Sequence, residues 1–342
     1  MNPDRAISCL YGGLIGDALG GRYEFDYQDN MGNDKQRFES EWDWEILGGG
    51  SHELEPGQIT DDSEMAMAMA AAIIKAQKVD KVSIAKAYHN WYLSEPFDIG
   101  NSTRNAVQHS DHYQMVEAAK EFNDDCIKKH QDNNLSNGFL MRIGPLGVIC
   151  SKYVVNRKSD RDFVMSMIKM VSEDTLLTHY SEEALCYAVA FVILLGFAIV
   201  EGRIDSAVEI LRLHLNRKGD WKKILEAGLD MNSKLAHDPR KRMGDVRIAF
   251  QLAIRKAYLI QSRQMTFEEA IVSTVKLGGD TDTNACIVGY LCGAVSNKVP
   301  AKWVQSVKNP VERIIERYQV HQPNQLIGKI PQVVRSLLSL KE

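Results

Sequence analysis

A chain of 342 residues, 44% hydrophobic and 25% charged, has the make-up of a globular protein large enough for one big domain or two ordinary ones. Its formal net charge of −4 offers no broad basic surface for nucleic acid, and no nucleic-acid partner is expected. Any phosphate group must then be held by backbone N–H groups, a few basic side chains or bound metal. The six cysteines form no CxxC pair and mostly lie in apolar runs, and MNPDRAIS lacks the layout of a signal peptide. Reduced thiols in a cytoplasmic protein are expected.

Helical periodicity dominates the chain. The first predicted helix runs from about Asp4 to Leu19, with Gly12, Gly16 and Gly20 at four-residue spacing. Glycine weakens a helix, so a repeated set predicts a face on which another backbone comes close. The same small-residue device recurs at Ala285, Gly289 and Gly293. GGLIGDALGG lacks a G-x-G, and no strand precedes it, so it is not a dinucleotide-binding loop. From about Glu24 to Gln58 the chain is polar, acidic and aromatic and ends in GGGSHELEPGQ, which reads as a long loop, of the kind that is functional or disordered.

A Met- and Ala-rich helix follows from Ser63 to about Lys78, its methionines filling core. Further helices are predicted near Ser83–Tyr92, Ser102–Lys120, Gly144–Tyr153, Ser159–Glu173, Ser181–Val200 and Asp205–Leu215. The last group is Trp221–Met231, Val246–Ile260, Thr266–Leu277, Asp282–Val295 and amphipathic pieces from Ala301 to Leu340. Ala184–Val200 is apolar throughout but shorter than the roughly 20 residues of a membrane span, and Glu182, Glu183 and Glu201 flank it. A helix buried on all sides is the better reading, with no membrane partner. No strand pattern stands out. The expected fold is all-α, a single large helical domain over residues 1–342.

Two acidic clusters carry the chemistry. In PGQITDDSE, Thr60, Asp61, Asp62 and Ser63 gather oxygen donors where a loop meets a helix. The bland explanation is a cap at Asp61, with Glu64 completing a capping box. In LGGDTDTNA, Asp280, Asp282 and Thr283 gather at the start of another apolar helix, where one aspartate would suffice as a cap. Four carboxylates brought together would repel one another unless cations sat among them. An all-oxygen set without cysteine or an HExxH pair suits Mg2+ or Mn2+ rather than zinc, and there is no EF-hand pattern for Ca2+.

GLIGDALGGRYEF, GGGSHELEPGQITDDSEMAMAMA, EPFDIGNSTRNAV, SNGFLMRIGPLGV, LTHYSEEA and GGDTDTNACIVGYLCGA resemble, in order, the motifs of the ADP-ribosylglycohydrolase family. The chain is most similar to its dinitrogenase reductase-activating glycohydrolase type, which acts on ADP-ribosylarginine. The resemblance implies an orthogonal helical bundle with a two-metal cleft holding two divalent cations, Mg2+ or Mn2+. It implies metal binding by Thr60, Asp61 and Asp62 from one side and by Asp280, Asp282 and Thr283 from the other. It makes Asp98 the candidate acid/base beside the ribose, with Asp61 and Asp282 also in the catalytic set. Glu24, Asn101, Gly138, Met141 and His179 match substrate-binding positions.

The simpler alternatives are a turn residue at Asp98, a cap at Asn101, a solvated loop residue at Glu24 and a helix-start residue at His179. Near Val246–Ala249 many relatives carry an aromatic residue where this chain has Arg247, so adenine stacking would fall to Arg247 or to another side chain such as Phe97. The expected activity is cleavage of the N-glycosidic bond between ADP-ribose and a modified arginine on a target protein, releasing ADP-ribose. The alternatives are an O-linked serine or small-molecule adduct, or a non-catalytic ADP-ribose-binding relative. Direct C–N cleavage and prior ribose ring opening both remain open routes.

Overall fold

Helices begin where short polar side chains meet orphan N–H groups. Asp80, Ser159, Ser181 and Asp245 each accept a backbone N–H from the first turn that follows, and Thr266 with Glu269 forms a full capping box. The computed structural model describes residues 3–25, 44–130, 133–308 and 322–340. Its helices are α1 (Pro3–Gly20), α2 (Asp61–Ala76), α3 (Lys81–Tyr92), α4 (Asn101–Val107), α5 (His112–His130), α6 (Gly144–Asn156), α7 (Asp160–Thr175) and α8 (Glu182–Glu201). They continue as α9 (Asp205–His214), α10 (Trp221–Leu229), α11 (Val246–Gln261), α12 (Phe267–Val275), α13 (Thr281–Ser296), α14 (Ala301–Lys308) and α15 (Ile330–Ser339).

The all-helical expectation holds. Among the described residues there is no strand, only isolated bridges at Gly49–Leu54 and Ser136–Asp245. One predicted helix is corrected. Ser102–Lys120 is two helices, α4 and α5, parted at Gln108–Asp111, where Asp111 accepts the N–H of Tyr113 and starts a new turn. Positions 26–43 of the expected acidic loop, and positions 309–321 of the predicted C-terminal pieces, lie outside the described residues.

The apolar α8 is a core helix: every residue from Ala184 to Ile199 is buried. All six cysteines are unbridged, five of them buried. The two small-residue faces noted in the sequence meet each other. A Cβ added to Gly16 would fall 2.0 Å from the carbonyl oxygen of Ala285, and one on Gly289 would fall 2.0 Å from that of Gly12. No side chain fits between the helices there. The pairing runs antiparallel, from Ser8 against Gly293 to Gly20 against Thr281 and Asp282. The end of α1 is thereby fixed against the acidic start of α13.

Candidate active site

The second acidic cluster is brought to the same place by a buried carboxylate. Asp17, near the end of α1, accepts the backbone N–H of Thr60 at 3.0 Å and that of Ser63 at 3.1 Å. Its Oδ1 also lies 2.9 Å from the Thr60 hydroxyl. Two otherwise orphaned N–H groups at the start of α2 are thus satisfied from outside the helix. Burial pushes the Asp17 carboxyl up to about 6, against the pull of these hydrogen bonds.

Capping does not account for the aspartates. The N-cap of α2 is Thr60, not Asp61, and that of α13 is Asp280; neither makes a side-chain cap bond. The carboxylates instead converge. Thr283 Oγ1 lies 3.3 Å from Asp62 Oδ2, joining the two clusters across 221 positions of sequence. Thr60 Oγ1 approaches the same oxygen at 3.0 Å. Carboxylate oxygens of Glu24, Asp280 and Asp282 all lie within 4.8 Å of one another. Thr60, Asp61, Asp62, Asp280, Asp282, Thr283 and Glu24 are all buried.

Burial, then the neighbouring carboxylates, holds Asp61, Asp62 and Asp282 well above the usual carboxylate range. Burial followed by Asp280, Asp98 and Asp61 lifts Glu24 to about 9. Asp62 Oδ1 is buried with no hydrogen-bond partner among the described residues. An orphaned carboxylate oxygen within a set of mutually repelling ones fits hard divalent cations, which would neutralise the charge and take the free lone pairs.

Asp98, in the loop between α3 and α4, stands at the rim with a side chain 23% exposed. Burial raises its carboxyl, and the adjacent His52 opposes that shift. Asn101 is exposed at the first position of α4; Gly100 is the N-cap there, so Asn101 does not cap the helix. The opposite wall is the short 310 turn Asn137–Phe139, pinned to the cluster by the Asn137 side-chain amide, which donates to Asp280 Oδ2 at 2.8 Å. Gly138 is half-buried in that turn. Met141 is buried beyond it, its carbonyl accepting from Cys286 Sγ.

His179 lies behind this wall, wholly buried, with Nε2 2.7 Å from Ser136 Oγ and Nδ1 2.9 Å from Thr178 Oγ1. Burial, and secondarily the charge of Arg142, keep it neutral, well below the usual histidine range. Arg142 is itself buried in an ion pair with Asp174 at 3.2 Å, stacked over Tyr88 at 4.7 Å, and donates to Thr178 Oγ1 and the Gly138 carbonyl.

On the far side of the 137–139 turn, Arg247 is the second residue of α11. Its guanidinium donates to Asp245 at 2.7 and 2.8 Å and reaches Asp220 at 3.5 Å. It borders a hollow of about 210 Å3 that also touches Asn134, Ser136 and Gly244. Phe97 lies next to Asp98, edge-on to His52 with centroids 5.7 Å apart.

Four residues at or behind the site escaped the sequence reading: Asp17, His52, Asn137 and Arg142. A charged residue inside an otherwise apolar helix was the signal for Asp17. His52 stands in the quoted GGGSHELEPGQ, and Asn137 and Arg142 in SNGFLMR, but nothing local sets them apart from loop and helix polar residues.

A sequence profile described as ADP-ribosylglycohydrolase matches residues 2–332. A protein of Acanthamoeba polyphaga mimivirus described as an ADP-ribosyl glycohydrolase is 31% identical over 326 residues, spanning 92% of this chain and 93% of that one. The ADP-ribosyl-[dinitrogen reductase] glycohydrolase of Rhodospirillum rubrum is 24% identical over 92% of this chain and 94% of its own. The ADP-ribosylarginine hydrolase Tri1 of Serratia proteamaculans (strain 568) is also 24% identical, over 89% of this chain and 75% of its own. A chain of a solved ADP-ribosylglycohydrolase-related protein complex superposes with a TM-score of 0.67 at 20% identity over 99% of both chains, which bears on the fold.

Proposed function

Because the chain belongs to the ADP-ribosylglycohydrolase family and is therefore a hydrolase of ADP-ribose adducts, we propose that it cleaves the N-glycosidic bond joining ADP-ribose to an arginine side chain of a modified protein. The convergence of Thr60-Asp61-Asp62 with Asp280-Asp282-Thr283, with Glu24 and Asp98 beside them, carries the reading. The relatives named for ADP-ribosyl-[dinitrogen reductase] and for ADP-ribosylarginine support the arginine linkage.

The two clusters would hold two divalent cations, Mg2+ or Mn2+, one set of ligands from each helix start. When bound, such cations neutralise the carboxylates and supply Lewis-acid polarisation at the ribose hydroxyls. The chain's own groups do the rest. Hydrolysis breaks the bond from the anomeric carbon to guanidine nitrogen and forms one to water oxygen; the nitrogen gains a proton and the water loses one. Asp98, at the rim and partly solvated, is placed to move that proton, a role worth roughly 10²–10⁴-fold. Glu24, Asn101 and Gly138 line the substrate side, and Met141, buried beyond the turn, backs it. His179, too deep to reach solvent, acts there through Ser136. Backbone N–H groups of the turns would supply donors for the pyrophosphate.

The test is release of ADP-ribose from arginine-linked and serine-linked ADP-ribosylated peptides, with Mn2+ or Mg2+ and with excess chelator. Cleavage of the arginine-linked peptide alone, lost in chelator, is expected. Preference for the serine-linked peptide overturns the linkage, full activity in chelator overturns the cations, and binding without turnover overturns the enzyme.

A further inference from the structure

Glu24 poses an electrostatic question. It follows the 310 turn Gly21–Tyr23 at the end of α1; Asp280, Asp98 and Asp61 repel its buried carboxylate, and a side-chain hydrogen bond with Asp282 opposes them from inside the site. The tight turn 48–54 holds it from outside. Gly48, Gly49, Gly50 and Glu53 all take left-handed backbone angles, with φ of +67°, +86°, +75° and +50°. Leu54 N–H donates to Gly49 O at 3.0 Å and closes the turn. Arg22 anchors it by donating to Gly48 O at 2.8 Å.

The turn then grips Glu24 twice. Ser51 Oγ donates to the Glu24 carbonyl at 3.1 Å, and His52 Nε2 hydrogen-bonds the Glu24 carboxylate at 2.9 Å. The same imidazole nitrogen lies 4.0 Å from Asp98 Oδ2, and the ring is flanked edge-on by Phe25 and Phe97. With its side chain 19% exposed, His52 looks into the cleft rather than into the core.

We propose that His52 is a positioning residue of this site, holding the Glu24 carboxylate against Asp280 and Asp282 and setting its spacing from Asp98. The inference rests on the hydrolase reading above. An imidazole suits the task because it has a flat, short side chain that the two phenylalanine edges can orient, and a ring nitrogen that can bond a carboxylate. Truncation leaves Glu24 its hydrogen bond to Asp282 but removes the hold from the cleft side, and its spacing from Asp98 is no longer set.

The test compares His52→Ala, His52→Gln, Glu24→Ala and the double variant His52→Ala/Glu24→Ala, each checked for parental thermal unfolding. Both kcat and KM are measured, together with calorimetric binding of ADP-ribose in Mn2+. His52→Ala should lose roughly 10–100-fold in kcat/KM, the range usual for residues that orient an active carboxylate or ligand. His52→Gln, which restores an N–H donor at similar reach, should recover most of it. His52→Ala should cost little more once Glu24 is gone. Unchanged kcat, KM and binding in His52→Ala, or fully additive losses in the double variant, overturn the inference while the hydrolase reading stands. A parent protein that neither binds nor releases ADP-ribose overturns both.

Discussion

Along most of their length α1 and α13 touch backbone to backbone, whereas at the end where Gly20 meets Asp282 the same pair borders a cleft crowded with carboxylates. The first region is glycine against backbone, with the Tyr290 ring packed on Gly13 and Arg5 donating to the Ala294 and Val295 carbonyls at its far end, and it holds no carboxylate cluster. The second buries Asp17, Asp61, Asp62, Asp280, Asp282 and Glu24 within reach of one another. The difference shows a division of labour. Like charges at close range would push their helices apart, and a glycine-lined contact, in which neither helix can shift without losing close packing, resists that push. Close packing in the glycine-lined half supports the crowded carboxylates of the other.

Four substitutions break or sharpen this contrast. The largest effect is expected at Asp62, whose Oδ2 joins the two clusters: Asp62→Ala should cost on the order of 10³-fold in kcat, about 4 kcal/mol of barrier, while folding survives. Near-parental turnover of a folded Asp62→Ala protein would falsify the joint site. Next comes the ion pair behind the cleft. Arg142→Met strands a buried Asp174 beside Tyr88 and should destabilise the fold by ~3–5 kcal/mol in urea titrations. A loss no larger than that of a surface arginine would show that this pair does not support the turn at Gly138.

Gly16→Val, in the glycine-lined half, sets a Cβ 2.0 Å from the Ala285 carbonyl oxygen and should cost at least ~3 kcal/mol, lowering kcat of the folded fraction as well because the helices part beside Asp17. Parental kcat in the folded fraction would show that the contact does not hold the cleft. The smallest effect has the opposite sign. Asp282→Asn keeps the acceptor for the Thr283 N–H but removes one buried charge. In excess chelator it should raise stability by on the order of 1 kcal/mol, and lower activity when cations are restored. A destabilised Asp282→Asn protein in chelator argues that the carboxylates do not repel as described.

Much of this architecture was legible beforehand. The helix starts at Ser159, Ser181 and Thr266 follow from their own side chains, and the apolar run of α8 from its composition. The glycine spacing announced a backbone contact but not its partner, because a small-residue face states only what it lacks. The break at Gln108–Asp111 went unseen since no glycine or proline marks it. Asp61 looked like a cap, and the true N-cap is Thr60, because the N–H groups at the start of α2 are satisfied by Asp17 from another helix.

By itself, the sequence determined an all-helical chain, two helix starts with more carboxylate than capping requires, and the family these motifs belong to. Each of those is written in contiguous residues, where periodicity and local hydrogen bonding act over a few positions. Only the tertiary structure decided that Asp62 and Thr283 meet, that His52 faces Glu24 and Asp98, and that His179 lies behind the wall rather than in the cleft. Those relations depend on how helices distant in sequence pack, and packing is set by shape and burial over the whole core, which no local pattern encodes.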